Sequence, residues 1–164
     1  GQIPVFFGQR PTGRPPRAEE RFSAKYLDLP VAPRFAFGHG LAYTSFVCRG
    51  LRTDRAVLRE GEPVTVEVEV VNEGPRAGEE TVLLFTRDVV ASVARPLLEL
   101  RGFARLALEP GEAGTARFVI QAGDLVFLGA DLEPTLEDGW IELCVGPSAD
   151  PARLLRTRIE LTSA

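Results

Sequence analysis

The chain has few of the residues that most often carry out chemistry in proteins. Its 164 residues include no methionine, one histidine, one tryptophan and two cysteines. The single histidine, His39, is therefore the one obvious candidate for a general base near neutral pH. One cysteine pair, Cys48 and Cys144, without a nearby histidine cannot complete the four ligands of a structural zinc site. The absence of methionine leads us to expect that Gly1 is a processing boundary or the start of a fragment.

The charges and the apolar runs exclude two classes of partner. Nineteen Lys and Arg residues against 23 Asp and Glu residues give a net charge of −4, whereas a nucleic-acid-binding domain normally has a basic face. No apolar run approaches the roughly 20 residues of a membrane-spanning helix. We therefore expect neither nucleic acid nor a membrane as a partner. The length is sufficient for one domain with a core, plus an extension.

The first 45 residues have the composition of an extended arm. Residues 10–17 are rich in Pro, Gly and Arg, which no helix or central strand tolerates, and Pro30 and Pro33 follow. The arm nevertheless carries large apolar side chains, namely Phe6, Phe7, Phe22, Tyr26, Leu27, Phe35 and Phe37. Such side chains should not lie bare in water, so we expect another surface to cover them.

From residue 46 to residue 164 the pattern is that of β-strands. Val64, Val66, Val68 and Val70 alternate with polar residues, which is the period of a half-buried strand. The predicted strands cover residues 46–51, 64–70, 81–86, 97–108, 116–120, 141–145 and 155–161. Short strands separated by turn residues, with no long amphipathic helix, predict an all-β fold: an antiparallel sandwich of the fibronectin III or immunoglobulin type with about seven strands.

Breaks in the strand pattern predict local turns. Asn72–Glu73–Gly74 ends the second strand with turn-forming residues. Pro110 followed by Gly111 has the order that a type II turn requires. Gly102 predicts a bulge or bend within a long strand, and residues 123–127 predict a helical turn in a crossover.

Short motifs spread over the whole chain have a specific order and spacing. They include Thr12–Gly13–Arg14–Pro15 and residues 35–46, 72–80, 87–96, 99–103, 108–112 and 139–146. Together they resemble the fibronectin III-like module at the C-terminal end of family 3 glycoside hydrolases, the β-glucosidase and β-xylosidase family. Residues 1–7 resemble the last strand of the α/β sandwich domain that precedes this module. Ala42 and Val89 depart from the family pattern, which commonly has Ser and Pro there.

The resemblance implies that the active site lies in domains outside this chain. The family hydrolyses β-linked glycosides with retention, using an Asp nucleophile and usually a Glu acid/base. The nucleophile lies in a Ser-Asp-Trp sequence, but Trp140 here follows Asp138–Gly139, so the motif is missing. We therefore expect no catalytic residue, cofactor or metal site. The implied partners are the catalytic domains of the same polypeptide, and the implied location is periplasmic or secreted rather than cytoplasmic.

Other candidate functional residues have plainer interpretations. His39 lies between Gly38 and Gly40, so we expect a turn residue that bonds locally or faces a neighbouring domain. The adjacent acids Glu19–Glu20, Glu79–Glu80 and Glu137–Asp138 are expected to diverge on the surface, because neighbours in a strand point to opposite faces. A calcium site could draw on Asp131, Glu133, Glu137 and Asp138, but their spacing matches no EF-hand loop.

Trp140 distinguishes the alternative functions. It has the parity of Glu142 and Cys144 and not that of Ile141, so it should lie outside the main core, as a contact with the adjoining domain or as a sugar platform. We expect an architectural module that stabilises the catalytic domains. The alternatives are a carbohydrate-binding module and a free-standing immunoglobulin-like interaction domain. The same parity argument favours two free thiols over a disulfide bond.

Overall fold

Strands begin where the proline-rich arm ends. The computed structural model describes residues 5–15, 17, 19–20, 22–26 and 28–162, and within these the arm up to Ser45 has neither helix nor strand. The strands are β1 (Phe46–Thr53), β2 (Val57–Leu58), β3 (Val64–Asn72), β4 (Gly78–Asp88), β5 (Glu99–Leu108), β6 (Ala113–Ile120), β7 (Phe127–Leu128), β8 (Pro134–Thr135), β9 (Gly139–Gly146) and β10 (Leu155–Leu161). Short 3-10 turns cover Ala122–Leu125 and Pro151–Arg153.

The strands form two main sheets. One has three strands in the order β1-β3-β6, and the other has five in the order β2-β10-β9-β4-β5. The neighbours are antiparallel except for β2 and β10. The sheets face each other across a core formed by alternate residues of each strand, including Val64, Val66, Val68, Val70, Val82, Leu84, Phe118, Ile120, Ile141, Leu143, Val145 and Ile159. The predicted all-β sandwich is thus confirmed.

Each predicted long strand is present, with differences at the ends. The strand predicted from residue 97 begins at Glu99, because the Leu97 amide donates to the Gln9 carbonyl of the arm at 2.8 Å. The two-residue strands β2, β7 and β8 were not predicted, since an alternation of period two cannot be recognised over two residues. Among the described residues, no helix has the length and apolarity needed to cross a membrane.

The predicted turns are also present. Gly111 has φ +78° and the Glu112 amide donates to the Glu109 carbonyl at 3.0 Å, as a type II turn requires. The β4–β5 register passes from Leu84 opposite Gly102 to Phe85 opposite Leu100. Arg101 is therefore the extra residue of a bulge beside the predicted Gly102. The 3-10 turn Ala122–Leu125 overlaps the helical turn expected at 123–127.

Candidate functional site

The arm packs on the outer face of the five-stranded sheet, the face turned away from the core. The Phe7 ring lies 5.4 Å from the Phe85 ring and 4.7 Å from the Phe37 ring, centroid to centroid. Phe7 covers a second apolar cluster formed by Leu83, Phe85, Leu98, Cys144, Ala149 and Leu154. Part of the cover expected from another surface is thus supplied by this sandwich. The continuous apolar run 82–85 in β4 is the signal that both faces of this strand are buried.

A glycine turn fixes the second end of the arm. Gly38 has φ +82°, and a Cβ there would lie 2.7 Å from Leu83 Cδ1 and 3.0 Å from the Pro147 carbonyl oxygen. The Ala149 amide donates to the Phe37 carbonyl at 2.8 Å. Only glycine combines this backbone conformation with so close an approach.

His39 belongs to the same turn. Its amide donates to the Ala36 carbonyl at 2.9 Å, and its exposed ring stacks on Phe35 with 4.7 Å between ring centroids. The expectation of a turn residue is confirmed, and the structure brings no carboxylate or thiol to the ring among the contacts it records.

Much of the arm's apolar surface is exposed in this chain. The exposed fractions of Leu41, Tyr43 and Phe22 are 95%, 90% and 79%. Phe6 and Phe35 are exposed by 60% and 62%. Within this chain, therefore, much of the cover expected for the apolar side chains of the arm is missing.

An arginine cluster on the outer face surrounds one glutamate. Glu142 on β9 is 8% exposed and lies between Arg87 on β4 and Arg158 on β10 in the strand register. Its carboxylate accepts a hydrogen bond from Arg156 Nη1 at 2.8 Å, while Arg87 Nη1 and Arg158 Nη2 stand 3.6 and 3.8 Å away. Sequence analysis missed this cluster, because strands β4, β9 and β10 become neighbours only through pairing.

Trp140 lies on the same face, one residue pair beyond Glu142. It is opposite Glu160 of β10, its carbonyl accepts from the Val89 amide at 3.2 Å, and its side chain is 52% exposed. The prediction that Trp140 lies outside the main core is confirmed.

The adjacent carboxylates do not converge on a common point. Glu79 pairs with Arg105 across β4 and β5, while Glu80 has the parity of core residues Val82 and Leu84, and burial raises its pKa. Glu20 pairs with Arg17. Glu137 accepts from the Ser92 amide and hydroxyl, which lower its pKa.

Asp131, one of the four residues weighed as calcium ligands, closes a turn instead. Asp131 Oδ1 accepts from the Glu133 amide at 3.1 Å, which leaves this carboxylate closing its own loop. In the part of the chain that the structure describes, no group of three His, Cys, Asp or Glu side chains is arranged to hold a metal ion.

The two cysteines are unpaired and lie on different faces. Cys48 of β1 packs against the core between the sheets, whereas Cys144 of β9 belongs to the cluster on the outer face of the other sheet. Both thiols are free, as predicted from strand parity. Burial raises the pKa of each thiol to about 11, so neither is a reactive nucleophile at neutral pH.

The contacts of Asn72 give the motif at residues 72–80 a structural role. It is fully buried, its side-chain amide donates to the carbonyls of Arg76 and Leu108 at 2.7 and 3.0 Å, and its side-chain oxygen accepts from Thr44 Oγ1 at 2.6 Å and the Gly74 amide at 3.1 Å. One side chain thereby joins the end of the arm, the β3–β4 turn and the end of β5.

The motifs at residues 87–96 and 99–103 contribute to a polar network where β4 ends and β5 begins. Arg95 Nη2 and Arg101 Nη2 donate to the two carboxylate oxygens of Glu99 at 2.7 and 2.5 Å, and Arg101 Nε donates to Thr86 Oγ1 at 2.9 Å. The Arg95 guanidinium also lies 4.1 Å from the centroid of the Phe127 ring. These motif residues hold the long β4–β5 connection in place.

Comparisons with known proteins agree with this architecture. The model of the fibronectin type III-like domain matches residues 80–149. A periplasmic β-glucosidase of Salmonella typhimurium is 34% identical over 163 residues, which cover 98% of this chain and 21% of that protein. A β-xylosidase of Formosa agariphila is 37% identical over 153 residues, covering 91% of this chain and 20% of that protein.

Solved structures show the same likeness in three dimensions. The β-glucosidase of Listeria innocua in complex with glucose superposes with a TM-score of 0.86 and 33% identity, over 98% of this chain and 22% of that one. The chain therefore spans about a fifth of the length of these relatives. It contains a fibronectin type III-like domain of the kind found in family 3 glycoside hydrolases.

Proposed function

We propose that this chain is a non-catalytic structural module of a β-glucosidase-like enzyme, in which it packs on the catalytic domains and stabilises them. The parent enzyme would hydrolyse terminal β-linked glycosides with retention. In this proposal residues 46–164 are the sandwich and residues 1–45 are the arm from the preceding domain. The observation that carries it is the exposed apolar surface of the arm in a chain that spans only about a fifth of its relatives.

The chemistry of the side chains supports a structural role. Retaining hydrolysis needs two carboxyl groups about 5–5.5 Å apart across the scissile bond. The adjacent acids here diverge or are engaged by arginines and backbone amides, and the lone histidine stacks on a phenylalanine. The module accordingly carries no catalytic residue, cofactor or metal in this proposal.

A deletion in the parent enzyme tests the role. We expect removal of residues 46–164 to lower the unfolding temperature of the catalytic domains and to reduce hydrolysis of aryl β-glucosides and β-xylosides. The isolated chain should not turn over either substrate. Turnover by the isolated chain that survives repurification, and is lost on substitution of one of its carboxylates, would overturn the proposal.

One observation favours a second candidate, a carbohydrate-binding module. Trp140 is half-exposed on the outer face of the five-stranded sheet, and an exposed indole ring is a surface on which a sugar ring can stack. Electrophoresis of the isolated chain through gels containing β-glucan or xylan checks it, since binding would retard the wild-type chain and not a Trp140→Ala variant.

The location we propose is periplasmic or secreted. A relative covering 98% of the chain is named a periplasmic β-glucosidase. Fractionation of cells that express the whole parent enzyme tests this, and activity confined to the cytoplasmic fraction would contradict it.

A further inference from the structure

The position of the arm identifies the side of the sandwich from which the preceding domain arrives. Phe7 lies in the segment that resembles the last strand of that domain, and it is seated on Phe85 and the outer face of the five-stranded sheet. Each residue of chain spans at most about 3.6 Å, so a domain joined to the chain just before Phe7 would start from this face.

The uncovered part of this face has the composition of a protein interface. Trp140 is 52% exposed, and the side chains of Arg87, Arg156 and Arg158 are 44%, 37% and 59% exposed. Trp and Arg are the residues most enriched at the energetic centre of interfaces. Each guanidinium has five N–H donors, more than the single carboxylate of Glu142 can accept from three arginines, so donors remain for a partner.

The outer face of the three-stranded sheet has neither an exposed aromatic side chain nor a cluster of three arginines around one carboxylate among its described residues. Its acids are matched by close partners: Glu67 accepts from Arg52 and Arg117 at 2.6 and 2.5 Å, and Glu69 pairs with Arg49. Its largest exposed apolar side chains are the valines Val119 and Val47, at 55% and 37%, and none of the arm contacts recorded for the described residues reaches it. This face therefore serves as an internal reference.

We propose that the outer face of the five-stranded sheet, centred on Trp140 and the arginines around Glu142, docks on the domain that precedes this module in the same polypeptide. Trp140 inserts into an apolar recess of that domain, and Arg87 and Arg158 bind carboxylates at its rim. This rests on the proposed structural role and adds to it the surface through which the role is exerted.

Thiol labelling in the whole parent enzyme tests the docking. Trp140→Cys places a thiol on the proposed interface, and Val119→Cys places one of matched exposure on the reference face. Of the native thiols of this module, Cys144 is buried and Cys48 is half-buried, both with raised pKa values, and wild-type parent measures the remaining background. We expect Cys at 140 to react with a maleimide at least about tenfold more slowly in the parent than in the isolated chain, since shielding controls thiol reactivity. The rate at 119 should be unchanged.

A second variant guards against misfolding at position 140. Glu160→Cys lies opposite Trp140 on β10 and is exposed, so it probes the same surface while keeping the tryptophan. Equal labelling rates in parent and isolated chain at both 140 and 160, with circular dichroism showing folded variants, would overturn the proposal. So would protection at 119 without protection at 160.

The outcomes separate the docking surface from the structural role. If deletion of the module destabilises the parent but cysteines at 140 and 160 react equally fast in the parent and in the isolated chain, the structural role stands and the docking surface is wrong. If deletion has no effect, the structural role itself fails. If the two positions are also unprotected and polysaccharide binding depends on Trp140, the docking proposal is wrong and Trp140 is a sugar-binding side chain.

Discussion

At the scale of single residues, the motifs of this chain are devices that join elements. Asn72 closes hydrogen bonds to three separate segments, and Gly38 admits the arm to contact distance of Leu83 and Pro147. Both residues act on the packing of the chain itself, because Asn72 satisfies buried backbone groups and Gly38 lets two segments approach closely.

We expect Asn72→Ala to lower the free energy of unfolding by about 2–3 kcal/mol, since it removes the donor to the buried Leu108 carbonyl and the partly buried Arg76 carbonyl, and each unsatisfied buried group costs about 1–3 kcal/mol. Urea unfolding of the isolated chain measures the loss. Glu73→Ala, at the exposed neighbouring position, is the control and should change stability by less than about 0.5 kcal/mol. Equal effects of the two substitutions would show that the network around Asn72 contributes little.

Gly38→Ala should strain the second end of the arm. A Cβ at Gly38 would lie 2.7 Å from Leu83 Cδ1 at a φ of +82°, and a non-glycine residue held in such a conformation costs about 1–3 kcal/mol. Gly40→Ala is a matched control, because a Cβ there meets no atom within 4 Å. Chemical unfolding and chymotrypsin cleavage near Phe37 should distinguish the two variants. Identical cleavage would mean that this turn does not fasten the arm.

At the scale of elements, strands were predictable and contacts between distant segments were not. The alternation in β3 and β6 reports a half-buried face directly, since side chains point to opposite sides at each step. The packing of Phe7 on the sheet and the arginine cluster around Glu142 both depend on which strands become neighbours. Pairing is a long-range property that the local pattern of β4 or β9 does not contain. The apolar run 82–85 gave the one local sign of a second covered face.

The packing of the arm on the sheet predicts different effects for two adjacent phenylalanines. Phe7→Ala removes a ring that packs on Phe85 and Phe37 and should destabilise the isolated chain by about 2–3 kcal/mol, somewhat less than for a fully buried Phe. Phe6→Ala removes a ring that is 60% exposed and should have little effect. Thermal and urea unfolding provide the comparison, and a larger loss for Phe6 would refute this placement of the arm.

At the scale of the whole molecule, the thiols should make stability depend on alkaline pH. Burial raises the pKa of Cys48 and Cys144 from 9.0 to about 11, so the unfolded chain loses these protons first. The contribution of the protonated thiols to the free energy of unfolding is fully present below pH 9 and is lost between about pH 9 and pH 11. Urea unfolding across this range should show a steeper fall for the wild type than for Cys144→Ala. Parallel curves would mean that Cys144 titrates normally in the folded state.

The Phe7–Phe37 contact has a consequence for how the chain can vary in length. The two rings are 4.7 Å apart, so the segment between them begins and ends at the same place on the sheet. Lengthening a flexible loop whose ends are already held together adds only about 0.6 kcal/mol of closure entropy for each doubling of its length. Insertions between residues 8 and 36 should therefore be tolerated while Phe7 and Phe37 keep their contact on the sheet.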